Sequence, residues 1–134
     1  MEETENADLI ILGAGAAGVF SAIHAAESNP GIRILVLEKS AQILAKVRIS
    51  GGGRCNLTNA LEPRDAFLQQ YPRGRAHMQH LLYRFGPQET MKWFENNGVA
   101  LKTEPDLRVF PKSNNSESIV NCLKDALRKK GISL

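Results

Sequence analysis

The chemistry-bearing residues begin with Gly13-Ala14-Gly15-Ala16-Ala17-Gly18, three glycines at the spacing G-x-G-x-x-G. Gly13 permits a tight turn, Gly15 lacks the side chain that would hold a pyrophosphate away from the main chain, and Gly18 lets a helix pack closely on the preceding strand. A helix starting there offers free N–H groups and the positive end of its dipole to an anion. Glu38 follows Gly18 by 20 residues. A carboxylate there accepts hydrogen bonds from both ribose hydroxyls of an adenosine and disfavours a phosphorylated ribose. The glycine spacing alone is a weak signal. Its context is stronger: an apolar run before it, an alanine-rich run after it, and an acid closing the next apolar run. The competing reading is a glycine-rich strand-to-helix corner with a chance glutamate.

A second motif is Ser50-Gly51-Gly52-Gly53-Arg54-Cys55-Asn56. Three successive glycines cost backbone entropy and suit a place where the main chain lies flat against a ligand. Between Lys39 and Leu61 the basic residues Lys39, Lys46, Arg48 and Arg54 occur with no Asp or Glu, so this stretch could face an anion or be an ordinary solvated loop. A simple nicotinamide dehydrogenase continues from the acidic residue into another helix. A long basic, glycine-rich stretch instead favours a larger dinucleotide whose far half needs its own cradle.

The remaining reactive types carry less. Cys55 and Cys122 make neither a disulfide framework nor a C-x-x-C pair. Cys55 reads as a small packing residue and Cys122 as part of an apolar helix face. His77 and His80 share a helical face at i, i+3, but no acidic or thiol partner stands near, so no metal site is expected. Trp93, Phe94 and Phe110 read as packing residues rather than a stack for a planar ligand. No residue is assigned as catalytic acid or base.

The elements that must position these residues follow from periodicity. The run from Ala7 to Leu12 reads as a strand buried on both faces. Ala16 to Ser28 is alanine-rich, with Val19, Ala22, Ile23 and Ala26 at helical spacing. Asn29-Pro30-Gly31 stops that helix, and Ile32 to Glu38 is a second strand. Residues 7–38 are therefore one βαβ unit with a right-handed crossover expected, and Glu38 is expected beside the mouth of the first glycine turn. Residues 39–60 read as an ordered loop with a helical turn near 41–46, and 63–98 as helical segments. Residues 99–110 read as two short strands about the Glu104-Pro105-Asp106 turn, and 114–130 as a helix capped by Asn114 with Glu117. Ile132 to Leu134 reads as the beginning of a further strand.

Length and composition set the outer bounds. The 134 residues suffice for about one domain, and 43% hydrophobic with 23% charged residues is a globular composition. Glycines interrupt the apolar stretch from Leu9 to Ala26, so it is no membrane span, and the acidic opening at Glu2, Glu3, Glu5 and Asp8 is unlike a secretory signal. Reduced thiols in a cytoplasm are expected. A net charge of +3 is too small to demand a nucleic-acid partner.

The runs G-A-G-A-A-G, L-E-K at Leu37–Lys39, I-S-G-G-G-R-C-N at Ile49–Asn56, F-G-P-Q-E-T-M-K-W-F at Phe85–Phe94 and R-V-F-P-K-S at Arg108–Ser113 together resemble the bacterial HI0933-like flavoproteins. The S-G-G-G-R-C-N run is the specific part. Leu107 departs from a usual glycine, and Val47 from a Lys-rich stretch. The resemblance implies an α/β Rossmann-like FAD/NAD(P)-binding fold with a parallel sheet, residues 1–134 being the N-terminal part of a larger FAD-dependent oxidoreductase and inactive alone. It implies that Gly13, Gly15, Ala16, Ala17 and Gly18 hold the FAD pyrophosphate and that Glu38 and Lys39 meet the adenosine ribose. It further implies that Lys46, Ser50, Gly51, Gly52, Arg54, Cys55 and Asn56 line the path toward the isoalloxazine. NADH or NADPH would be the electron donor and a small molecule the acceptor. Two alternatives stay open: a plain NAD-binding domain, and a non-catalytic module binding nucleic acid through the basic stretch.

Overall fold

The computed structural model describes residues 6–134. The acidic opening at Glu2, Glu3 and Glu5 lies outside the described residues. In chain order the elements are β1 (Leu9–Leu12), α1 (Ala16–Ser28), β2 (Ile34–Leu37), α2 (Ala45–Gly53), β3 (Thr58–Asn59), α3 (Arg64–Gln69), α4 (Arg75–Arg84), α5 (Pro87–Asn96), β4 (Leu101–Thr103), β5 (Arg108–Pro111) and α6 (Glu117–Lys129). Among them no helix is long and apolar enough to cross a membrane.

The expected βαβ unit is present. β1 and β2 run parallel, with Leu9 opposite Ile34 and Leu12 opposite Leu37. The helical stripe of α1 buries Val19, Ala22 and Ile23 against the inward residues of the two strands. Its end is set at Asn29, whose N–H returns to the Ala25 carbonyl at 3.0 Å. Ser133 bridges Leu35 in parallel, on the edge of β2 away from β1. The α6 helix places Ile119, Val120, Leu123, Ala126 and Leu127 on one buried face and packs against α1 and α2. A second, antiparallel sheet has the order β3-β5-β4.

The other face of the parallel pair is open. Alternation along a strand sends Ile10 and Leu12 to the side opposite α1, where they are 55% and 81% exposed. Leu37 joins them in the parallel register. Both strands are apolar on both faces, yet only one face is covered.

Three local features differ from expectation or explain a departure. The 39–60 stretch carries its helix later than residues 41–46, at Ala45–Gly53, and that helix is broken: Ser50 is extended (ψ 150°) while Gly51 and Gly52 are left-handed (φ 56° and 66°). Only glycine adopts two such residues in succession without steric cost. Asn114 is not the cap of the last helix. It takes a left-handed turn (φ 54°), and Asn115 Oδ1 accepts the Glu117 N–H at 2.9 Å instead. Leu107, at the usual glycine, has φ 67°, a conformation that costs a side-chain-bearing residue about 1–2 kcal/mol.

Candidate functional site

The first glycine turn is held by its own backbone. Gly13 takes φ 96° and its N–H donates to the Leu37 carbonyl at 2.7 Å, tying the turn to the end of β2. A Cβ built on Gly18 would collide with the Gly13 carbonyl oxygen and lie 3.3 Å from Ile11 Cγ2, so Gly18 is the close-packing glycine. A Cβ on Gly15 would meet nothing within 4 Å. Gly15 therefore serves no packing need of the chain itself, and it borders open space at the start of α1. The first helical hydrogen bond runs from the Val19 N–H to the Gly15 carbonyl at 3.0 Å. The N–H groups of Gly15, Ala16, Ala17 and Gly18 have no acceptor among the described residues, and the first turn carries no carboxylate. Free donors, the positive helix end and open space coincide at one point, the requirements of an anion site.

Glu38 reaches this turn. Its Oε2 accepts the Ala14 N–H at 2.8 Å. Its Oε1 accepts both the N–H and the hydroxyl of Ser40 at 2.9 Å each. The Ser40 and Ala14 N–H bonds and the Ser40 hydroxyl hold the Glu38 carboxyl down at about 2, so it is ionised at neutral pH and Oε2 keeps a lone pair free for a hydroxyl donor. A cleft of about 540 Å³ opens here, lined by Leu12, Gly13, Leu37, Glu38 and Lys39.

The depressed Glu38 carboxyl predicts a pH effect with a definite sign. Its contribution to folding is fully present above the ordinary value of 4.5 and disappears as pH falls toward 2. The wild type should melt above Glu38→Gln near pH 7, with the gap closing across that acidic window. A gap that persists unchanged to pH 2 would refute the assignment.

On the other side of the α1 start lies a second cavity of about 480 Å³, reached by Ala16, Ala17, Lys46, Ser50, Cys55 and Asn56. Its size falls within the usual small-molecule range of roughly 300–1,000 Å³. Its remaining wall is mainly apolar and includes Phe20, Phe85, Phe94, Ile119 and Leu123; none of these was expected to line a site, and Phe94 was read as a packing residue. Helical periodicity marks a buried face without telling core from cavity wall. Residues from the two motifs, distant in sequence, thus meet around one helix start. The Ala14 carbonyl ties the first turn to the start of α2, which carries Ser50, by accepting the Leu44 N–H at 2.9 Å.

Three expected lining residues sit elsewhere. The Arg54 guanidinium is 2.7 Å from Glu104 and 4.0 Å from the Phe110 ring centroid, which turns it toward the β4–β5 hairpin. Gly51 is packed, since a Cβ there would approach Asn56 N to 2.7 Å, and Gly52, where a Cβ would meet nothing within 4 Å, lines neither cavity. Phe110 is fully buried and Phe94 nearly so, in line with their reading as packing residues. Cys55 and Cys122 are both buried and free. Burial pushes the Cys55 thiol up and the Cys122 thiol to about 11, so both are neutral packing groups at neutral pH. No group of three or more metal-ligating side chains occurs among the described residues.

A family model described as the HI0933-like protein Rossmann domain matches residues 7–134. The chain is 30% identical over 124 residues to the 3-dehydro-bile acid delta(4,6)-reductase of Clostridium scindens, covering 92% of this chain and 29% of that protein. It is 32% identical over 125 residues to the ribosomal RNA dihydrouridine synthase of Escherichia coli K12, covering 93% and 30%. It is also 38% identical over 63 residues to the fumarate reductase flavoprotein subunit of Proteus vulgaris, covering 47% and 10%. The chain spans less than a third of each of these relatives.

Proposed function

The chain belongs to the HI0933-like Rossmann-domain family, and on that premise we propose that it forms the FAD-binding portion of a larger oxidoreductase. The observation that carries the reading is the open space beside Gly15, bounded by four free N–H groups and within reach of a cleft holding Glu38. These features fit a dinucleotide. Gly13, Gly15, Ala16, Ala17 and Gly18 would hold the pyrophosphate, with Glu38 and Lys39 at the ribose. Lys46, Ser50, Cys55 and Asn56 would line the way to the flavin ring, Gly51 shaping that wall from behind.

When bound, the flavin supplies hydride transfer, passing reducing equivalents from a reduced nicotinamide to an organic acceptor. The protein's part is binding, orientation and exclusion of water. Glu38 orients the adenosine end, the α1 start neutralises phosphate charge, and the apolar wall at Phe20, Phe85 and Phe94 keeps the second cavity dry. We place the protein in a reducing cytoplasm, where two buried free thiols are stable. The isolated chain would hold FAD weakly and be inactive, because the open sheet face at Ile10 and Leu12 leaves the fold uncovered on one side.

The full-length protein should be yellow and release flavin on denaturation, and NADH or NADPH should bleach its absorption. A colourless protein that binds NAD would instead establish the plain nicotinamide-binding reading. A small molecule is the proposed acceptor. The Escherichia coli relative, named for ribosomal RNA and alike over 93% of this chain, favours RNA as the second reading. Salt-dependent binding to RNA would select it.

A further inference from the structure

Among the described residues, Ser116 is a buried polar side chain that none of the roles above uses; it is 4% exposed. It occupies the N-cap position of α6, where a serine hydroxyl ordinarily accepts a free helix N–H. Here it makes no such bond and its backbone is helical (φ −59°, ψ −23°). Asn115 Oδ1 has taken over an N–H of the first turn, that of Glu117 at 2.9 Å. The Ser116 hydroxyl instead donates across the fold to the Arg48 carbonyl at 2.8 Å, and the Ser116 N–H donates to the Gly53 carbonyl at 2.9 Å.

These two bonds grip the chain on either side of Ile49–Gly52, the segment in which α2 breaks. A third contact reinforces them. Arg48 Nε lies 2.7 Å from Glu117 Oε1, and Arg48 NH1 donates to the Ile43 carbonyl at 2.7 Å. The gripped segment contains Ser50 and leads into Cys55 and Asn56, all on the wall of the second cavity. Its left-handed glycines have many alternative conformations of similar energy, so something outside it must select one. A buried serine with both donors committed does so at little entropic cost.

We infer that Ser116 is a positioning residue for the flavin-facing half of the site: with the Arg48–Glu117 pair it clamps the Ser50–Asn56 wall in its binding conformation, acting on FAD through that wall rather than by contact. The inference rests on the FAD reading above, and it adds a division of labour. The adenosine cleft at Glu38 is built from β1 and β2 and does not depend on the clamp, whereas the second cavity does.

The test compares two ligands on the full-length protein stripped of flavin. ADP probes the adenosine cleft and pyrophosphate turn alone, while FAD probes both halves. Ser116→Ala should weaken FAD by about tenfold, the scale of one lost hydrogen bond. ADP affinity should stay at the wild-type value, and the bound flavin's absorption envelope should shift toward that of free flavin. Glu117→Gln removes the charge partner of Arg48 at a half-exposed site, and it should shift FAD in the same direction by a smaller factor. It carries the test alone if the alanine variant does not fold. Equal weakening of FAD and ADP would mean general destabilisation and would overturn the inference, as would unchanged FAD affinity and spectrum. A wild type that binds ADP but not FAD would overturn the FAD reading itself, a result separate from any effect of Ser116.

Discussion

Gly15→Val is expected to leave the protein folded while reducing FAD affinity about 100-fold or more, the loss of two charge-assisted hydrogen bonds to phosphate. The backbone at Gly15 (φ −81°, ψ −175°) is ordinary extended chain that valine adopts without strain, and a Cβ there meets no atom of the protein within 4 Å. The new methyl groups would fill the space above the free N–H groups of Ala16 and Ala17, so the cost falls on the ligand and not on the fold. The readouts are flavin content after purification, FAD affinity by titration, and melting of the flavin-free form. The flavin-free melt should differ from wild type by no more than about 1 kcal/mol, the range for residue changes at a helix N-cap. Wild-type flavin content would show that the open space is not the phosphate site.

Gly18→Ala, three residues further, should do the reverse. Its added methyl is driven into the Gly13 carbonyl oxygen and the Ile11 side chain. Backbone cannot give way as a flexible side-chain tip does, so α1 must separate from β1. The expected loss is about 3 kcal/mol, at the upper end of overpacking costs, seen as a lower urea midpoint of the flavin-free protein. FAD would weaken only as a consequence, and saturating FAD should restore part of the stability by mass action. A midpoint unchanged from wild type would show that the helix and strand are not held as closely as the carbonyl contact demands. The two results together would separate one motif into a ligand glycine and a packing glycine.

The elements that local pattern specifies were largely legible in the sequence. The alanine-rich run gives α1, the branched runs give β1 and β2, and the apolar stripe from Ile119 to Leu127 gives α6, because 3.6-residue and 2-residue periodicities are imposed by backbone geometry itself. The left-handed turn at Gly13, the open space at Gly15 and the close packing at Gly18 were legible for the same reason, since each follows from the absence of a Cβ at a fixed place in a strand–turn–helix. The placement of Glu38 beside the glycine turn followed from its position at the end of a strand that must pair with β1. The break in α2 was less clear. Three glycines permit it, but permission does not select a conformation.

What the sequence determined by itself, then, is the βαβ unit, its glycine turn and the acid that answers it, all encoded within about one crossover of chain where spacing and residue size are sufficient. The tertiary structure decided which distant residues share a cavity. It turned Arg54 away to Glu104 and Phe110, made Phe20 and Phe94 walls of a cavity as well as core, and diverted Ser116 from capping its own helix to gripping Arg48 and Gly53. Such choices depend on which donor finds which acceptor when elements nearly 70 residues apart are packed together. Competing partners of similar strength are separated there by burial and geometry, which no local spacing records.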